Sequence, residues 1–394
     1  MGPAVLQYPF QFLDMSHPLS RRATLRLLAA SAASTCAPLI RAQKDTSRIV
    51  LGQSAAFSGP AAQLGQQMNR GARLCLDAVN AAGGVNGAQI ELRTLDDGYD
   101  PARCKANTEK FLAEDVFALF GYVGTPTSLA ALPLIREGRT PFFAPFTGAM
   151  ALRDPQLRQV FHVRASYDDE TALIVHQLTS LGLKRIAVFR QNDSYGQAGL
   201  DGVTKALQAR DLAPVAVATV ERNSTEVAAA VQAIVAARPD AVVQISAYKS
   251  CAAFVRAARK AGFGGSFYNV SFVGTQALAD ELGREARGVV VSQVMPFPYA
   301  SPVPIVREYL DAIKATGGEA KPNYSSMEGY IAARVLVEGL KRSRGLSREG
   351  LVAGLESLQS FNLGGFAVNF SPRSHVASRF VELSMLTGDG KVKR

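Results

Sequence analysis

Thr125-Pro126-Thr127-Ser128 places hydroxyls and a proline where an apolar strand, Val116 to Phe120, gives way to a helix. The first turn of a helix carries unpaired N–H groups at the positive end of its dipole. An anion is favoured there by about 0.3 to 1 kcal/mol, and by up to about 2 when partly buried. Thr125 can equally cap its own helix, a role that needs no ligand. A second group, Asp96-Asp97-Gly98-Tyr99-Asp100-Pro101, sets three carboxylates close together. That spacing could hold a divalent cation, but the run lies where a strand ends and a helix begins. Asp100-Pro101 has the form of an N-cap followed by proline at the first helical position, so capping is the favoured reading.

Enzymatic chemistry lacks its parts. No Gly-x-Gly-x-x-Gly follows the first strand, and neither a Gly-x-Ser-x-Gly elbow nor a Walker lysine motif is present. The four histidines, His17, His162, His176 and His375, are scattered without metal-ligand spacing. No catalytic residue, metal or cofactor is assigned. Three cysteines, Cys75, Cys104 and Cys251, follow Cys36 of the leader, and an odd set cannot close a complete disulfide framework. Cys75 and Cys104 fall on the first and second helices. In a sheet that reverses direction after its second strand these helices cover opposite faces, so three buried thiols are expected, with a Cys75–Cys104 bridge as the alternative. The formal net charge of +10 is diffuse, with no block of five Lys/Arg and no aromatics interleaved with basic runs. It speaks for solubility and against nucleic-acid recognition.

The elements that must position these residues alternate strand and helix. Strands are expected at Ile49 to Gln53, Gln89 to Leu95, Val116 to Phe120 and Pro141 to Ala144, with helices starting near Ala61, at Pro101 and at Thr125. After Val160-Phe161-His162-Val163-Arg164 the pattern restarts: helix from Tyr167, strand Arg185 to Arg190, helix from Asn192-Asp-Ser-Tyr to about Ala209. Strands at Val215 to Val220, Ala241 to Ser246, Ser266 to Val270 and Gly288 to Val294 follow, between helices near Thr225, Tyr248 and Thr275. Helices at Val303 to Thr316 and Met327 to Arg342 then lead to strand-like Gly365 to Phe370 and Phe380 to Thr387. The expected fold is α/β, with two similar lobes, each a parallel sheet flanked by helices, joined by a three-segment hinge crossed near 164, 296 and 376. Lobe 1 comprises 43–164 and 297–376, and lobe 2 comprises 165–296 and 377–394.

Ahead of the lobes, Ser20-Arg21-Arg22-Ala23-Thr24-Leu25-Arg26, a weakly apolar run from Leu27 to Ile40 and Arg41-Ala42 have the order of a twin-arginine export signal over 1–42, cleaved after Ala42. The run is too short and polar to span a membrane. Met15 is an alternative start, and Cys36 stands in a poor lipobox.

Five features in order, Ser58-Gly-Pro, Gly71-Ala-Arg with Asn80-Ala-Ala-Gly-Gly-Val-Asn-Gly, Asp96-Asp97 with Asp100-Pro101, Gly121 to Ser128, and Asn192-Asp-Ser-Tyr-Gly, resemble the type I periplasmic solute-binding proteins of the leucine/isoleucine/valine-binding family. These are the receptor components of ABC uptake transporters, and the likeness covers nearly the whole mature chain. The resemblance implies a periplasmic protein that meets a permease and ATPase and holds a small carboxylate solute between its lobes; the twin-arginine export machinery is the partner that the leader itself implies. Thr125, Pro126 and Thr127 correspond to the turn that receives the ligand carboxylate. Phe146-Thr147-Gly148 resembles the second such turn, although the family's threonine aligns with Gly148. Tyr195 and Tyr248 match aromatic positions that close over the ligand from the opposite lobe.

The departures concern specificity. Leu64 replaces a tryptophan, Ser271 replaces the glutamate that pairs with an amino-acid ammonium, and Tyr99 and Gly124 occupy the positions of the family's first-lobe disulfide. A serine brings no charge, and a buried ammonium without a counter-ion is costly. The expected ligand is therefore a small organic carboxylate, with an aromatic body suggested by Phe146, Tyr195 and Tyr248. A branched-chain amino acid, its ammonium met by another acid such as Glu328, is the alternative. A sensory receptor domain for a periplasmic partner would use the same fold, and an α/β enzyme remains the third class.

Overall fold

The computed structural model describes residues 48–300 and 302–394, with Met1, Gly2, Ala4 and Pro9; the export signal, Cys36 and the cleavage point after Ala42 lie outside the described residues. Thr46–Arg394 is one compact unit. Within it the first lobe runs β1 (Arg48–Ala55), α1 (Ala62–Ala81), β2 (Gln89–Asp96), α2 (Pro101–Ala113), β3 (Ala118–Phe120), α3 (Thr125–Glu137), β4 (Phe142–Phe143) and β5 (Val160–Phe161). All five strands are parallel in the order β2-β1-β3-β4-β5, so the sheet reverses its direction of growth at β1. This is where α/β folds gather ligands, beyond the carboxyl ends of the strands.

The second lobe runs α4 (Tyr167–Ser180), β6 (Ile186–Gln191), α5 (Ser194–Gln208), β7 (Ala216–Val220), α6 (Ala228–Ala236), β8 (Ala241–Ile245), α7 (Tyr248–Lys260), β9 (Ser266–Asn269), α8 (Thr275–Leu282) and β10 (Val290–Gln293). The chain continues through α9 (Pro304–Ala315), α10 (Tyr324–Arg342), α11 (Arg348–Glu356), β11 (Phe361–Leu363) and β12 (Phe366–Val368). It finishes with β13 (Glu382–Leu386) and β14 (Val392–Lys393). The second sheet has the order β14-β13-β10-β9-β8-β6-β7. Its strands β6 to β10 are parallel, but β13 runs antiparallel to β10 and β14 antiparallel to β13, so this sheet is mixed at one edge. The expectation of a wholly parallel sheet overlooked this: β10 leads out of the lobe, and the returning chain pairs by running back along it.

The buried strands are mainly apolar on both faces, as in β6 (IAVFRQ) and β8 (AVVQI), because helices cover both sides of the sheet. Helix α1 buries Leu64, Gly65, Met68, Gly71, Ala72, Cys75 and Leu76 on one stripe, packed against α10. A side chain at Gly71 would strike the Ser326 backbone, and one at Gly329 the Met68 backbone, so the two helices touch main chain to main chain. Cys75 and Cys104 belong to separate apolar clusters on opposite faces of the first sheet, and Cys75, Cys104 and Cys251 are buried free thiols. Helix α11 and strand β11 escaped the sequence pattern, while β12 lies within the expected Gly365 to Phe370; α11 carries Gly350 and Gly354 within nine residues, which weakens its helical signature.

The chain passes from the first sheet to the second at 162–166, returns at 294–303, and crosses again at 369–381. The first and third crossings are bonded to each other, with His162 N–H donating to His375 O at 2.8 Å and Ala377 N–H to His162 O at 2.8 Å. Parallel, mutually bonded crossings bend about a common axis.

Candidate functional site

The carboxyl ends of β1 and β2 pair in register, Ala55 with Asp96, which brings the acidic run beside the loop after β1. Asp96 accepts from Phe57 N–H (2.8 Å), Ser58 N–H (3.1 Å) and the Ser58 hydroxyl (2.5 Å), and pairs with Arg103 at 2.9 Å. Ser58 is thereby turned toward Asp96. Asp97 accepts from Ser54 Oγ (2.7 Å), and Asp100 caps α2 through Arg103 N–H (2.9 Å). All three carboxylates fasten this corner of the lobe. Burial lifts the Asp97 carboxyl to about 6, against the pull of its donors.

At the start of α3, Thr125 and Thr147 are fully buried and share a hydrogen bond of 2.7 Å between their hydroxyls, so the two carboxylate-turn residues meet. Thr147 Oγ1 also accepts from Ala149 N–H at 3.2 Å. Thr127 instead donates to Val123 O (2.5 Å) and Gly124 O (3.0 Å), closing its own first turn, and Pro126 is buried beside it. Gly148 O accepts from Tyr167 N–H at 2.8 Å, and a side chain at Gly148 would collide with the Tyr167 ring. A cavity of about 370 Å³ opens onto Thr125 between α3 and α5, lined also by Leu129, Met150, Ser194, Gln197 and Lys205.

Aromatic rings from both lobes converge beyond this turn. Phe272, from the short 3-10 turn Ser271–Val273, lies 4.5 Å from the Tyr195 ring, 5.6 Å from Phe146 and 5.9 Å from Tyr99. Tyr167 lies 5.4 Å from Tyr195. Phe146 and Tyr99 come from the first lobe, Tyr167, Tyr195 and Phe272 from the second, and all are buried. Tyr99 also fills the space over Gly124, whose φ of 105° and missing side chain admit the ring. Where the family keeps a disulfide, this chain has a ring against a glycine. The Tyr99 hydroxyl accepts from Gln191 at 3.1 Å, and Asn223 donates to Gly98 O at 3.1 Å, so the lobes are in contact across the cleft. Leu64 meets Gly274 from the other lobe, and the Tyr248 hydroxyl lies beside the Gln63 backbone.

The centre of the site is Arg164, which the sequence marked only as the point where the chain changes lobes. It is wholly buried, and its guanidinium lies 4.7 Å above the Phe146 ring. It donates to Ser271 Oγ and stands 3.7 Å from Glu170 and 3.6 Å from Glu328. Ser271 N–H (2.7 Å), Ser271 Oγ (3.1 Å) and Ser292 Oγ (2.5 Å) all donate to Glu170. A carboxylate, that of Glu170 on α4, therefore stands directly behind Ser271. Burial works against the charge of Arg164, but Glu328 and Glu170 hold its pKa above the ordinary value. Burial lifts Glu328 to about 7, with Arg164 opposing. Arg164 Nε and Nη1 and the Tyr195 hydroxyl have no hydrogen-bond partner among the described residues. The one sequence signal for Arg164 was a charge ending the apolar alternation Val160 to Val163.

Residues 48–391 match the family model described as periplasmic binding protein. The structure superposes on that of a possible leucine/isoleucine/valine-binding protein from Rhodopirellula baltica with a TM-score of 0.83 and 36% identity, covering 89% of this chain and 96% of the other. A substrate-binding periplasmic protein from Ralstonia solanacearum matches with a TM-score of 0.82 and 32% identity over 87% of this chain and 99% of that one. Among curated proteins, Leu/Ile/Val-binding protein homolog 7 of Brucella melitensis is 25% identical, over 93% of this chain and 95% of its own. A match over most of the chain, on a two-lobed α/β fold with a buried polar cluster between its lobes, has one meaning: this chain belongs to the periplasmic binding protein family and carries its type I fold.

Proposed function

We propose that the protein is the extracytoplasmic substrate-binding component of an ABC uptake transporter and that it captures a small carboxylate-bearing solute between lobes divided as 43–164 with 297–376 and 165–296 with 377–394. The observation that carries this reading is the convergence, in one buried cleft, of the Thr125–Thr147 hydroxyl pair, the unpartnered donors of Arg164 and five aromatic rings. Donors suit a carboxylate, and rings suit a flat or branched apolar body. The relatives' description as leucine/isoleucine/valine-binding proteins supports an amino acid or its close analogues. A permease and an ATPase are the partners of this role, and the twin-arginine machinery is the export route that the leader favours. The role is binding, not turnover.

A thermal-shift screen of branched-chain amino acids, their des-amino analogues and aromatic acids tests the reading, because a ligand at about 100 times its Kd adds about 2.7 kcal/mol. Stabilisation by at least one carboxylate is expected. A flat response to all of them, confirmed by calorimetry, overturns it.

A further inference from the structure

We propose that Arg164 is the anion receptor of the cleft and that Glu328 takes up a proton when a carboxylate lacking an ammonium group binds, coupling solute capture to pH. This deepens the reading above and rests on it.

The two acids facing Arg164 are not equivalent. Glu170 accepts three hydrogen bonds from Ser271 and Ser292 besides facing the guanidinium, so it is fixed and its lone pairs are in use. Glu328, on α10, makes no hydrogen bond among the described residues; it faces Arg164 Nε across 3.6 Å, an ion pair without a hydrogen bond. The Nε and Nη1 protons of Arg164 are therefore held by neither acid, and both are buried. Each is a charge-assisted donor that a carboxylate oxygen can accept from, one donor at a time, because both bidentate edges of a guanidinium include Nη2, which is already bonded to Ser271.

Charge decides what else must happen. The groups facing Glu328 are Arg164 at the first crossing, Arg153 ahead of it and Glu170 on α4. Helix α1 presents the backbone of Met68 and Ala72 to its neighbour Gly329. Arg153 donates to the Arg164 and Ala165 carbonyls at 3.1 and 3.0 Å, so its charge is fixed behind the site. With both acids ionised, two cations balance two anions. A monoanionic ligand adds an unbalanced charge in a buried place, which is costly unless one acid becomes neutral. Glu170 is tied to its donors, which leaves Glu328, and burial has already raised that carboxyl to about 7. An amino acid brings its own cation and can leave Glu328 ionised.

Calorimetry with benzoate, 4-methylpentanoate and leucine, in buffers of different ionisation heat, counts the protons bound with each ligand. The expected result is that one of the two des-amino acids binds with uptake approaching one proton at about pH 8. Its affinity falls about tenfold per pH unit above about 7. Glu328→Gln, a folded neutral mimic, is expected to bind the same acid with no proton uptake and a flat pH profile. Binding of the acid without proton uptake, unchanged uptake in Glu328→Gln, or binding of leucine alone overturns the inference and leaves solute capture standing. No binding by any of the three overturns the inference, and a flat response across the wider screen as well overturns both.

Discussion

Thr125 and Thr147 come from different turns, 22 residues apart, and the 2.7 Å bond between their hydroxyls presents them as one unit at the start of α3. Thr125→Val removes the hydroxyl proposed here to donate to a charged ligand group, a bond worth about 1.5 to 3 kcal/mol, and is isosteric. Calorimetry is expected to show affinity lower by about tenfold to a hundredfold with the melting transition retained; wild-type affinity would remove Thr125 from the site. Glu328 gives a second expectation, for the ligand-free protein. Its folded pKa of about 7 lies above the ordinary 4.5, so between those values the fold holds a proton that the unfolded chain has lost. Its contribution to stability therefore falls as pH rises through that window. The buried His162 and half-buried His375, whose pKa values burial lowers, act oppositely, so the sign is read from a difference between variants. Glu328→Gln is expected to gain on wild type by about 3 kcal/mol between about pH 4 and pH 8, measured as urea-unfolding free energies at each pH. A pH-independent difference would mean that Glu328 titrates normally.

Among elements, the contact of α1 with α10 has the least tolerance. Gly71 and Gly329 let the two backbones touch, and α10 carries Glu328 into the site one residue before Gly329. Gly329→Val must push the helices apart, and is expected to cost about 3 kcal/mol in urea unfolding. Gly264→Val, where a side chain meets open space and φ is not in the left-handed region, is expected to be nearly neutral. Equal effects at the two glycines would contradict the close approach. The helix starts at Pro101, Thr125 and Tyr248 were legible, but only Asp100 caps its helix; α3 and α7 follow Gly124 and Ala247 with no side-chain cap, so Thr125 is the first helical residue and not the cap the sequence offered. The β13 pairing was less so, because strand alternation carries no information on which edge accepts it.

Across the whole molecule, both lobes close on the cleft through small polar contacts, Gln191 to Tyr99 and Asn223 to Gly98, and through Leu64 against Gly274. None is strong by itself, so ligand contacts to both lobes can set the balance between open and closed forms. Small-angle scattering is expected to give a larger radius of gyration without ligand than with it. Gln191→Ala, which removes one cross-lobe bond, is expected to weaken binding several-fold, as roughly 1 kcal/mol implies. An identical radius at saturating ligand would contradict closure.

The sequence by itself determined the α/β alternation, the reversal of the first sheet, the odd number of thiols and the turn at Thr125. Each is a local or periodic property, set by apolar spacing, caps and parity within a few residues. Only the tertiary structure decided where charge sits. Arg164 meets Ser271 across 107 residues of chain, and Glu170 meets it across 101. Neither pairing has a spacing of its own, since the lobes are built from interleaved segments and an ion pair depends on distance in space alone. Position 271 carries a serine, and the fold sets the Glu170 carboxylate from α4 behind it.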